Sequence, residues 1–254
     1  ITGELEATGI WAPDCSRSPK VSLRALMAGA REAQERATRV SSGWSTEDQA
    51  LWDATLEEES AGGLVGPLTK EEVEQQVGKF WIAARRFGIT QNERLRSIDD
   101  FSEFLVNASF GAKEKISMKG IDQIAAYARA WADALQDDGS ILVRDTSGAE
   151  WRGWLHPEWT TGSWLDLVGR VADLKSAYKQ LPVNPVNRAL SIIAVRNPEG
   201  KVSLFRGLSM MFGEVAAVYA FLRFSRAIAA LAASLFSLVV VEFFDDFSQM
   251  DARA

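Results

Sequence analysis

Phe236-Ser237-Leu238-Val239-Val240-Val241-Glu242-Phe243-Phe244-Asp245-Asp246 is the most telling stretch of the chain. Its β-branched and aromatic residues read as a strand from Phe236 to Phe244, with Asp245-Asp246 where the chain turns. A second apolar run, Leu167-Val168-Gly169-Arg170-Val171-Ala172, ends on Asp173 and reads as a strand from Leu167 to Leu174. Each run has the character of a central strand. If the two are neighbours in one sheet, their carboxylates meet at one edge. Acids raised on a rigid sheet suit Mg²⁺, which takes hard oxygen ligands together with substrate phosphate. Two such ions about 4 Å apart stabilise the attacking and leaving oxygens of an in-line phosphoryl transfer.

Between these runs, Ser176 to Leu181 reads as a single helical turn closed by Pro182. Asn197-Pro198-Glu199-Gly200 is a turn joining strands Leu190 to Arg196 and Lys201 to Arg206. Glu214 to Ser234 has the character of a long helix. The run from Val215 to Phe244 is apolar enough to suggest a membrane span. Arg223 and Arg226 inside it, with Glu242 and Asp245 at its end, favour a buried helix followed by a buried strand, and no membrane partner.

Working toward the amino terminus, residues 120–136 return to helical period through Ile121, Ile124, Tyr127, Ala128 and Trp131. Trp151, Trp154, Trp159 and Trp164 then form a tryptophan-dense segment, read as rings packed under a loop, with base stacking as the alternative. Within residues 79–102 a β-hairpin is expected, its loop holding Gln91, Asn92 and Glu93. Thr69 with Glu72 forms a capping box for a helix from Lys70 to Val77 that stops at Gly78. Residues 61–67 read as a loop. Ser45 caps a helix to about Glu58, and Leu23, Leu26, Met27 and Ala30 mark a helix within 21–40.

At 254 residues, 47% hydrophobic and 24% charged, the chain has room for one large domain or two. Cys15 and His156 are its only cysteine and histidine, which excludes a Cys/His zinc site and disfavours a His-based triad. Carboxylates, basic side chains and backbone remain to carry any chemistry. A net charge of −6 is not the footprint of a simple nucleic-acid-binding domain, although a basic groove can sit on an acidic body. The chain opens on Ile1 without a signal-peptide pattern. It is read as a segment of a longer polypeptide that works inside the cell, in cytoplasm or nucleus.

Several motifs in order resemble the reverse transcriptases, particularly those of retrotransposons, over roughly residues 64 to 250. Asp173-Leu174-Lys175-Ser176-Ala177-Tyr178 resembles the first palm motif: an aspartate, three variable residues, a small residue and an aromatic. Phe243-Phe244-Asp245-Asp246 resembles the aromatic-x-Asp-Asp motif. Phe212-Gly213, opening an Ala-rich helix with Phe221, is similar to the second palm motif. Arg94-Leu95-Arg96-Ser97-Ile98-Asp99-Asp100-Phe101, with Asn107 after it, resembles the fingers segment, and Arg85-Arg86-Phe87-Gly88 lies where that segment usually begins.

The resemblance implies an α/β (α+β) protein. A palm of antiparallel sheet backed by helices would span 166–254 and a fingers-like region 61–165, after a helical extension over 1–60. It implies RNA-directed DNA polymerase activity on a primer-template of RNA or DNA, with dNTPs and Mg²⁺ (or Mn²⁺). Asp173 and Asp245 would hold the metals with the backbone carbonyl of Leu174, and Asp246 would support the site. Arg96 would clamp the triphosphate, with Arg86 as second cation, because a guanidinium matches phosphate geometry and stays charged. The amides of Ser176 and Ala177 would face the phosphates, and Phe212 and Gly213 would pack against nucleotide and template base. Tyr178 would clash with a 2′-hydroxyl, and no acid occupies positions 174 to 180, which favours DNA over RNA synthesis.

The chain departs from the family pattern at Glu214, where a neutral residue is usual, at Met210-Met211, which replace Leu-Pro, and at Arg85-Arg86, where a lysine is common. The return strand after Asp246 is expected to be barely present and the thumb missing, so the chain alone is expected to bind nucleic acid poorly. Two rival readings are a catalytically degenerate element fragment that acts as a binding or structural module, and an RNA-dependent RNA polymerase.

Overall fold

A computed structural model describes residues 1–40, 43–157 and 164–252. The protein is mixed α/β, with helices set against antiparallel and mixed sheets. Its chain forms two compact units: Ile1–Ile116 with Ser176–Phe221, and Ser117–Lys175 with Leu222–Ala254. These boundaries do not follow the expected division at residues 60 and 165.

The first unit is built on a five-stranded sheet in the order β3 (Leu64–Leu68), β11 (Val202–Gly207), β10 (Ile192–Arg196), β4 (Ala83–Gln91), β5 (Arg94–Asp100). All neighbours are antiparallel except β10 and β4, which run parallel from Ile192↔Ala83. The continuous apolar run of β10 has buried residues on both faces, as a strand covered on both sides requires. Helices α1 (Leu23–Ala28) and α2 (Ala30–Ala37) place Leu26, Ala30, Ala33 and Ala37 in one core with Trp81, Ile82, Ile192 and Phe205. The amino-terminal helices are therefore part of this unit's core. The helix expected over 21–40 is broken at Gly29, which ends α1 and begins α2.

Local signals placed several elements well. Ser45 and Asp48 form a capping box at the start of α3 (Thr46–Ser60), and Thr69 with Glu72 does the same for α4 (Lys70–Val77), which ends at Gly78 with φ 85°. The β4–β5 hairpin closes through Asn92 and Glu93 alone, both at positive φ, because Gln91 already pairs with Arg94. This is the backbone of a tight two-residue hairpin turn. The expected loop over 61–67 is instead partly strand: Leu64 is buried, and β3 pairs with β11 at the sheet edge, where Pro67 is tolerated. A smaller sheet, β1 (Gly3–Leu5), β6 (Phe110–Glu114), β2 (Pro13–Arg17), completes the unit.

The second unit contains α5 (Ile121–Ala134), the two-stranded sheet β7 (Ser140–Arg144) and β8 (Glu150–Trp154), and a three-stranded antiparallel sheet. That sheet runs β12 (Val240–Phe243), β13 (Asp246–Ala252), β9 (Leu167–Asp173). Two expectations are corrected here. The return strand after the aspartates is seven residues long and central, while β9 and β12 are its edges. The strand expected from Phe236 covers only Val240–Phe243, because helix α6 (Val215–Phe236) continues to Phe236.

By length and apolarity α6 would also pass as a membrane span; Ala216, Ala217, Phe221 and Leu222 are buried in its first turns, whereas Leu231, Leu235 and Phe236 near its end are exposed. Among the tryptophans, Trp164 stacks on Trp131 at 4.2 Å, and each indole N–H donates to the other residue's carbonyl. Trp151 and Trp154 are exposed on β8, and Trp159 lies outside the described residues.

Candidate functional site

The three aspartates lie in the second unit, at one end of the β12–β13–β9 sheet. Asp246 opens β13 and is the direct register partner of Asp173, which closes β9. Directly opposite residues on an antiparallel pair project to the same face with Cβ atoms about 5 Å apart. Phe243 pairs with Asp246 from the other side, so Phe243, Asp246 and Asp173 make an exposed row across the sheet. The opposite face carries Glu242 and Phe247, both buried.

Asp245 sits in the two-residue turn between β12 and β13, half-exposed. Its carbonyl accepts from the Leu174 N–H at 2.9 Å, extending the pairing of the two chains by one residue. Phe244, the other turn residue, has φ 55°. A bulky side chain in that left-handed region costs on the order of 1–2 kcal/mol. Such strain persists where the surroundings over-determine it.

The resemblance gives Asp173 and Asp245 to the metals and a supporting role to Asp246, whereas the register brings Asp246 opposite Asp173. Among the described residues, no three His, Cys, Asp or Glu are gathered as metal ligands. Mg²⁺ commonly takes one or two protein carboxylates and completes its shell with water and substrate phosphate. Asp173 and Asp246 fit that donor set for one ion.

The residues expected to meet a nucleotide lie in the first unit. Tyr178 follows a backbone in which Ser176 (φ 69°) and Ala177 (φ 37°) are both left-handed. Its ring makes edge contacts with Phe212 at 5.1 Å and Phe221 at 5.3 Å. Gly213 has φ 104°, and a Cβ there would lie 2.0 Å from the Asp99 carbonyl, so only glycine fits. The Phe212 carbonyl accepts from the Asp99 N–H at 3.2 Å. Asn107 fastens the next residues: its Nδ2 donates to the Gly213 carbonyl at 2.8 Å, and its Oδ1 accepts from the Val215 N–H at 2.9 Å, capping α6.

Arg86 does not present a free cation. Its Nε and Nη2 donate to the two oxygens of Asp99 at 2.8 and 3.0 Å, and its Nη1 to Glu58 at 3.0 Å and Thr55 at 3.2 Å. The guanidinium is buried. Desolvation opposes its charge, but the ion pairs with Asp99 and Glu58 override it and raise its pKa. Burial pushes the Asp99 carboxyl up while the Arg86 fork pulls it back, and the two short hydrogen bonds fit an ionised pair. Arg86 is therefore a core strut, which corrects its assignment as second triphosphate cation. Glu58 also accepts from Lys179 Nζ at 2.8 Å, and that ammonium lies 5.9 Å from the centre of the Phe212 ring. Arg96 is exposed on β5. Neither Glu58 nor Lys179 carried a motif that singled it out in the sequence.

Glu214, the main departure from the family pattern, turns inward. It is 2% exposed, and neither carboxyl oxygen has a hydrogen-bond partner. Burial pushes its pKa up to about 8. At neutral pH the group is mostly protonated, so it puts little negative charge beside Gly213.

The chain matches no protein-family model, and no curated protein is significantly similar to it.

The buried Glu214 proton predicts a pH dependence. The native state keeps the proton while the unfolded chain, with an ordinary value of 4.5, has lost it. This contribution to stability is fully present below about pH 4.5 and is lost as pH rises through about 8. At pH 8, Glu214→Gln should be more stable than the parent by at least about 1 kcal/mol in denaturant unfolding, with the difference fading near pH 4. An equal difference at both pH values would contradict a buried proton.

Proposed function

We propose that the chain carries fingers and palm elements of a reverse transcriptase, an RNA-directed DNA polymerase that adds deoxynucleotides to a primer in the presence of Mg²⁺. The observation that carries this reading is the register of β9 on β13, which sets the aspartates of two separate motifs, Asp173 and Asp246, opposite each other on an exposed sheet end. Two motifs about 70 residues apart meeting at one register position is what a shared metal site asks of the sequence. A divalent ion held there would offset phosphate charge and favour attack by a primer hydroxyl.

The chain's own residues have these roles in the proposal. Asp173 and Asp246 bind the ion, and Asp245 holds the turn through its carbonyl bond to the Leu174 amide. Arg96 binds the triphosphate. Tyr178, braced by Phe212 and Phe221, blocks a 2′-hydroxyl. Phe212 and Gly213, the latter pressed against the Asp99 carbonyl, pack against the nucleotide and template base. A non-catalytic binding module on the same fold is favoured by one observation, that the Arg86 guanidinium is committed to Asp99 and Glu58 instead of being presented to a triphosphate.

Equilibrium binding of a deoxynucleoside triphosphate to the full chain tests the proposal. Binding should require Mg²⁺ and weaken at least about tenfold in Asp173→Asn, the loss of one charge-assisted contact. Binding that ignores both the metal and the substitution would favour the non-catalytic module. Tyr178→Ala should narrow the preference for deoxy- over ribonucleotides, again by about tenfold or more. An unchanged preference would point to a different sugar gate or to an RNA-synthesising enzyme.

A further inference from the structure

The Phe244-Asp245 turn is held from two sides within the second unit. A left-handed backbone at a phenylalanine does not sustain itself, so the contacts on the turn's two carbonyls decide its shape. The Asp245 carbonyl takes the Leu174 N–H. The Phe244 carbonyl takes a hydrogen bond of 2.7 Å from the hydroxyl of Ser225 on α6. Ser225 is completely buried. A serine inside a helix commonly folds its hydroxyl back onto its own helix or points it to solvent; this one reaches a carbonyl 19 residues on.

The next residue on α6 reinforces the same junction. Arg226 pairs with Glu242 of β12, and Lys119 Nζ donates to the other Glu242 oxygen at 3.0 Å. Strand β12 is thus fixed to α6 just before the turn, and Ser225 fixes the turn itself.

We propose that Ser225 is a positioning residue for the acidic pair. By turning the Phe244 carbonyl inward it sets the peptide plane from which Asp245 and Asp246 start, and so the place of Asp246 opposite Asp173. The inference rests on the reading that these acids hold a divalent ion, and its consequences are separable from that reading. Without the hydroxyl, the Phe244 carbonyl loses this part-buried hydrogen bond, and the turn relaxes toward an ordinary backbone.

The test uses Ser225→Ala in the full chain, with the nearly isosteric Ser225→Cys as second variant. Two quantities are measured: hydrogen exchange of the Leu174 amide, and Mn²⁺ affinity by electron paramagnetic resonance. Ser225→Ala should speed Leu174 exchange and weaken Mn²⁺ binding about five- to tenfold, the scale of one buried hydrogen bond, with Ser225→Cys between it and the parent. In a Phe244→Gly background, where the left-handed turn is unstrained, Ser225→Ala should have a smaller effect on both. If Asp246→Asn abolishes Mn²⁺ binding while both Ser225 variants leave exchange and affinity unchanged, the inference is overturned and the metal reading stands. If the parent binds no Mn²⁺, the metal reading fails together with the role assigned to Ser225, and exchange at Leu174 then shows only whether the hydroxyl holds the turn.

Discussion

The antiparallel register of β9 on β13, running from Asp246↔Asp173 to Ala252↔Leu167, is the constraint on which the functional reading depends. Strand side chains alternate between faces, so a slip of one residue would send Asp173 and Asp246 to opposite faces of the sheet. Several features fix this register. The Leu174 N–H to Asp245 carbonyl bond continues the β9–β13 ladder one residue past the acids, and the two-residue turn fixes β13 against β12. Phe247 and Glu242 commit one face of β12 and β13 to the interior, and a slip between those two strands would expose a buried ion pair. Strand β13 lies in the middle, so both neighbours must agree with it. On β13 the acid lies on the face opposite the buried Phe247, and Asp173 meets it there on exposed β9.

In the first unit the corresponding anchor is the buried ion network. Arg86 joins β4 to β5 through Asp99 and to α3 through Glu58. Asp99 in turn holds Phe212 by its backbone, and Glu58 holds Lys179 next to Tyr178. A buried pair of this kind is weak evidence for net stability, because desolvation offsets much of the attraction, but removal of one partner strands the others as unpaired buried charges. Its geometric effect is to set the Tyr178 and Phe212 rings on a rigid base. The amino-terminal helices contribute to that base through Glu58, so they belong to the architecture of these residues.

Much of this was legible locally. Capping boxes at Ser45 and Thr69, the Gly78 stop and the turn at Asn197 to Gly200 are written in a few adjacent residues each, and the chain follows them. The strand that ends on Asp173 and the one just before Asp245-Asp246 were visible from their apolar, β-branched runs, and the mixed α/β class agrees with what the motif resemblance implied. What was not legible depended on partners distant in sequence. Nothing near Arg86 indicates that Asp99 and Glu58 will surround it, so its charge read as available. The composition of β13, Asp-Phe-Ser-Gln-Met-Asp-Ala, lacks the β-branched residues that mark a strand, and its central place comes from pairing on both sides. Glu214 read as a repulsive charge because burial, which keeps it protonated, is a property of the packed unit. Ser225 had no local signal, since its partner is the turn after the next strand.

The central claim is that Asp173 and Asp246 face each other, and a crosslinking measurement tests it most directly. Cysteines placed at both positions, with the exposed Cys15 replaced by serine, should form a disulfide under mild oxidation, since directly opposed residues fall within the roughly 4.4–6.8 Å Cα separation that a disulfide requires. Cysteines at positions 173 and 248 should not. Efficient bonding of the 173–248 pair, with none at 173–246, would mean that β9 sits two residues out of this register and that the acidic pair does not form.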